Sequence, residues 1–117
     1  MNIDELMDQA YEITESKGFW DESNGPRNKA EMIALMHSEL SEALEEIRDP
    51  NHYDDVIYYS SNVGDGNRKP EGVAVELADV MIRIADFCAG FGIPLELALE
   101  VKLKYNKKRE YKHGKNF

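Results

Sequence analysis

The residues of this 117-residue chain that could do chemistry are carboxylates at helical spacing. Residues 38–46 read SELSEALEE and carry Glu39, Glu42, Glu45 and Glu46, and residues 76–79 read ELAD and carry Glu76 and Asp79. At about 100° per residue, Glu39, Glu42 and Glu46 share one stripe of a helix with Glu45 beside Glu42. Glu76 and Asp79 stand one turn apart, followed on the same stripe by Arg83 and Asp86. Like charges one turn apart cost roughly a few tenths of a kcal/mol when exposed, and more when partly buried, unless a cation lies between them. Carboxylate oxygens with no matching His or Cys select Mg²⁺ or Mn²⁺ over zinc or iron. The competing reading is a solvated acidic face, which accounts for ELSE alone equally well. ELAD is harder to explain that way, because it lies in VAVELADVMIRIADFCAG, where a buried carboxylate must be paired, protonated or metal-bound. Spacing and burial leave both readings open.

The elements that must position these residues read as helices. Ile3, Leu6, Met7, Ala10 and Ile13 recur at spacings of three and four, and Gly18 is placed to end that first helix. Phe19 and Trp20 follow it. A second helix is expected from near Asn28, where Asn-x-x-Glu to Glu31 resembles a capping box, to about Arg48, with Asp49-Pro50 as the stop. Its apolar stripe holds Ile33, Met36, Leu40, Ala43, Leu44 and Ile47. The third helix, roughly Glu71 to Ala89, is apolar around most of its girth, which predicts cover on several sides, including from another subunit. Gly90 and Gly92 end it, and Pro94 opens a fourth helix, PLELALEVKLKYNKKR. Only VIYY, Val56 to Tyr59, carries a strand signal. The expected fold is all-α, a single domain over residues 1–117. The 24 residues from Asp49 to Gly72 exceed the ordinary loop length of about 12 to 15 residues and read as a functional lid.

Composition limits the partners. The net charge of −9 divides unevenly, with 22 acidic and 7 basic residues up to position 101 and 1 acidic and 7 basic residues from 102 to 117. An acidic body repels a nucleic-acid polymer. No apolar run of about 18 residues suits a membrane span, and the acidic start MNIDELMDQA is unlike a secretory leader. Cys88 is a lone cysteine in an apolar stretch, expected in the core and suited to a reducing compartment. A cytoplasmic protein is the expectation.

The carboxylate motifs, in HSELSEALEEIR and KPEGVAVELADVMIRIADF, resemble the signature of the MazG-like branch of the all-α nucleoside triphosphate pyrophosphohydrolases, relatives of the dimeric dUTPases. The resemblance runs from roughly Asn28 to the C-terminus and takes in KLKYNKKREYKHGKNF. It implies a four-to-five-helix bundle completed by homo-oligomerisation, as a homodimer or homotetramer. It also implies Mg²⁺, with Mn²⁺ as a substitute, held by Glu39, Glu42, Glu76 and Asp79. The activity implied is hydrolysis of a nucleoside triphosphate to monophosphate and pyrophosphate, a hydrolase acting on a phosphoric anhydride in nucleotide-pool house-cleaning. Many relatives begin the first motif with two adjacent glutamates, whereas this chain has Ser38 at the first of them. Ser38 cannot act as a base, which leaves water activation to the metal or to Glu45, Glu46 or His37.

Four carboxylates repel a triphosphate unless positive charge is added. Lys102, Asn106 and Arg109 fall on one stripe of the fourth helix, where the resemblance places a similar substrate-binding set. Lys69 is a further candidate for the phosphates, Trp20 for stacking on the base, and Arg83 for an ion pair behind the carboxylates. A di-iron carboxylate bundle requires two Glu-x-x-His motifs, and only Glu110-x-x-His113 is present. The remaining alternative is a non-catalytic helical oligomer or regulatory subunit that keeps the fold.

Overall fold

A computed structural model describes residues 1–52, 54–60 and 68–117. Among them are four α-helices, α1 (Ile3–Ser16), α2 (Lys29–Arg48), α3 (Val73–Gly90) and α4 (Leu95–Lys107), with short 3-10 turns at Glu22–Asn24 and Tyr111–Gly114. The mostly helical character expected from periodicity is present. None of these helices is long and apolar enough to cross a membrane.

The starts of α1 and α2 have local causes. Asn2 caps α1 by accepting the Glu5 N–H at 2.8 Å while the Glu5 carboxylate turns back to the Asn2 N–H, a reciprocal box. Asn28 caps α2 through a 3.0 Å bond from the Glu31 N–H, so that helix begins and ends where the sequence indicates. The third helix starts two residues after the expected Glu71, because Glu71 is spent in a two-residue antiparallel pair between β1 (Tyr58–Tyr59) and β2 (Pro70–Glu71). Gly72 turns the chain between β2 and α3 at a φ of 116°, where an added Cβ would sit 2.5 Å from the Val56 carbonyl oxygen.

The strand is therefore shorter than VIYY, and the 49–72 connection holds structure at its base. His52 stacks on Tyr58 at 4.4 Å between centroids, and the Tyr58 hydroxyl donates to the Glu46 carboxylate at 2.9 Å. Residues 61–67, the middle of the expected lid, lie outside the described residues.

The core is centred on α3, which packs between α1 and α2, while α4 leans on α1. Buried apolar side chains are Ala10, Met32, Met36, Ala43, Ala85 and Cys88. Three charged residues, Glu39, Glu76 and Asp86, are equally buried, so the α2–α3 joint is partly polar.

Candidate functional site

Three side-chain links fix how α2 and α3 face each other. Arg27, just ahead of α2, meets Asp86, Glu39 meets Arg83, and Glu42 meets Glu76. As the number rises on one helix it falls on the other, so the two run antiparallel and their carboxylate stripes converge.

One carboxylate oxygen each from Glu39, Glu42 and Glu76 lies within 4.8 Å of the others. Oxygens around a single ion, each about 2.0–2.6 Å from it, stand no farther apart than about 4–5 Å, so the trio has the span of a hard-cation site. Glu39 and Glu76 are each 8% exposed, whereas Glu42 is open to solvent. Burial first, then the hydrogen bond with Glu42 and the charges of Glu42, Asp79 and Glu39, push the Glu76 carboxyl up to about 7. Asp79 is also raised, by burial and then by Glu39, with Arg83 and Lys69 opposing. Arg83 Nε donates to Glu39 Oε1 at 2.8 Å, as a supporting ion pair. Excess negative charge that one arginine does not balance, held on oxygen donors alone, fits Mg²⁺ or Mn²⁺.

Beside the trio opens a cleft of about 510 Å³ lined by two helical rows. Glu31, Leu35 and Glu39 descend α2 at four-residue intervals, and Asp79, Ile82, Arg83 and Asp86 face them from α3. Glu39 and Asp79 stand at one end. At the other, Asp86 is 4% exposed and accepts from three donors. Its Oδ1 accepts from Thr14 Oγ1 at 2.5 Å and Trp20 Nε1 at 2.8 Å, and its Oδ2 accepts from Arg27 Nη1 at 3.1 Å. The Arg27 guanidinium lies 4.5 Å from the Trp20 ring centroid and 5.7 Å from that of Phe19. Phe19 is exposed and lines the cleft.

Trp20 itself is used as a packing element. Its ring meets Tyr11 and Phe91 and lies flush on Gly90, where an added Cβ would be 2.0 Å from it. No family model, curated protein or solved structure matches the chain.

The other expected residues separate into two places. Lys69 lines a shallower hollow with Ser41, Glu42, Glu45, Glu46, Glu71 and Glu76, and its Nζ is 3.9 Å from Glu71. Glu46 is held by Tyr58, and Glu45 makes a loose 3.7 Å contact with Arg48. Ser38 is exposed and turns its hydroxyl onto the Leu35 carbonyl at 2.7 Å, while His37 is exposed. Lys102 and Asn106 lie on α4, but that helix ends at Lys107, short of the expected Arg109, so Arg109 stands beyond the helix and off the expected stripe, while Lys102 and Arg109 both stack on Tyr105 at 4.8 and 5.5 Å. None of the three lines the cleft, and α4 packs against α1. The sequence reading passed over Arg27, Thr14 and Glu31 as site residues. The available signal was Asp86, a carboxylate inside the apolar run MIRIADFCAG that demands buried donors without saying which.

Proposed function

We propose that the chain is a Mg²⁺-dependent nucleoside triphosphate pyrophosphohydrolase with a MazG-like bundle, acting as a homo-oligomer. The observation that carries this reading is the convergence of Glu39, Glu42 and Glu76 within 4.8 Å, with Glu39 of that trio and Asp79 lining the end of a cleft with room for a nucleoside. Glu39, Glu42, Glu76 and Asp79 would hold the metal. When bound, the ion supplies positive charge against the triphosphate oxygens and acidifies nearby water.

The chain's own residues orient the reaction. Arg83 fixes the Glu39 carboxylate, and the two rows of α2 and α3 align the nucleoside with the carboxylates. Ser38 is turned to its own helix, so a base has to come from elsewhere. Glu45, in the hollow shared with Glu42 and Glu76, is our candidate to take the proton of the attacking water. Because α4 lies against α1, Lys102, Asn106 and Arg109 would serve the triphosphate of a neighbouring copy.

Purified protein is expected to release pyrophosphate from one or more nucleoside triphosphates only with Mg²⁺ or Mn²⁺ present, and Glu42→Gln or Asp79→Asn should lower kcat by about 100-fold or more. Release of single phosphate, or no turnover across a full NTP and dNTP panel, defeats the reading in favour of the non-catalytic oligomer.

A further inference from the structure

A nucleotide whose phosphates sit by Glu39 and Asp79 runs along the two helical rows toward Arg27. Eight residues separate Glu31 from Glu39, a rise of about 12 Å, which is the scale of a nucleoside from its phosphate to the far edge of its base. The group meeting Arg27 is then the purine 6-substituent or the pyrimidine 4-substituent.

Arg27 is an unusual wall for such a cleft because it is fixed. Asp86 holds Nη1, and the Trp20 face holds the guanidinium plane. Trp20 and Asp86 are themselves tied together and to Thr14. A guanidinium has five N–H donors and no acceptor, and cannot lose its charge at working pH. Here Asp86 engages one nitrogen, and the side chain still lines the cleft. An oxo group satisfies such a donor. An amino group sets N–H against N–H and leaves both unpartnered in a half-closed site. Glu31, on the same wall, is an acceptor for the ring N–H that adjoins the oxo group in guanine, hypoxanthine, uracil and thymine. Phe19, exposed beside Arg27, offers a ring face to the base.

We propose that Arg27, held by Asp86 and Trp20, is the specificity-determining residue of the cleft and selects oxo-substituted nucleobases over amino-substituted ones. This rests on the nucleotide reading above, and it assigns Trp20 to holding the reader in place and Phe19 to the stacking contact.

The test has two arms. In turnover with Mg²⁺, kcat/KM for dGTP and dUTP should exceed that for dATP and dCTP by about 10-fold or more, and Arg27→Ala and Arg27→Gln should bring the four within about threefold, chiefly through KM. In binding, Trp20 is the chain's single tryptophan and lies under Arg27, so its fluorescence reports titration with dGMP, dUMP, dAMP or dCMP. The oxo monophosphates should bind about 10-fold tighter or more, and Arg27→Gln should erase the difference while circular dichroism stays unchanged. Turnover with no base preference in the wild type, or a preference that survives both Arg27 variants, overturns the inference and leaves the pyrophosphohydrolase reading standing. No turnover, but oxo-selective binding lost in Arg27→Gln, overturns that reading and upholds the inference. Neither turnover nor binding overturns both.

Discussion

Glu76 keeps its proton close to neutrality because its carboxyl is buried against Glu42, with Asp79 and Glu39 nearby. Its acidity, about 7 folded against about 4.5 unfolded, has a definite sign in stability. Between those values the folded chain binds more protons than the unfolded one, so the metal-free protein loses stability as pH rises through that window, by up to a few kcal/mol. Thermal melts of metal-free protein should therefore fall from pH 5 to pH 8, and Glu76→Gln should flatten that dependence. Mg²⁺ should raise the wild-type midpoint more at pH 8 than at pH 5, since the ion binds the ionised trio. An equal metal effect at both pH values, or none, would count against a cation at this place.

Between elements, the joint of α1 and α3 depends on Trp20 lying flat on Gly90 while its Nε1 reaches Asp86. The sequence reading has Gly90 end the third helix, and α3 does end there, with Phe91 as its cap. Gly90 is there for want of a side chain, since the Trp20 ring occupies the volume a Cβ would need. Gly90→Ala should cost about 1–3 kcal/mol by overpacking, read in a denaturant melt, and should shift the Trp20 emission as the ring is displaced. The caps of α2 were legible because Asn-x-x-Glu acts within one turn. The start of α3 was not, because Glu71 is claimed by a strand partner more than ten residues away.

Taken whole, the chain exposes more surface than one of its mass ordinarily does. Its accessible area is 9148 Å², against about 6,500 Å² expected for a folded 13.4 kDa monomer. Its radius of gyration is 17.3 Å, against about 13 Å for a compact domain of this length. Ile33, Leu40, Leu44 and Ile47 form one exposed apolar stripe on α2, Leu77 and Met81 are bare on α3, and α4 buries no residue. The excess of roughly 2,600 Å² is of the order an obligate interface removes. A double substitution, Leu40→Glu with Leu44→Glu, should convert a dimer or tetramer to monomer in sedimentation velocity and lower the melting midpoint. A wild-type protein that already sediments as a monomer would sink the oligomer reading.

Periodicity, caps and the i,i+3 carboxylate pairs act over a turn or two, and so the helices and the ELSE and ELAD stripes were readable from residue order alone. That Glu39, Glu42 and Glu76 meet, and that Arg83 returns to Glu39 across 44 positions, follows from the antiparallel packing of α2 on α3. The binding of Asp86 by Thr14, Trp20 and Arg27 is of the same kind, with partners 72, 66 and 59 residues distant. A buried carboxylate announces in sequence that it needs donors, because leaving it bare costs too much. Which donors arrive is decided by which helix faces pack together, and that is a property of the folded chain.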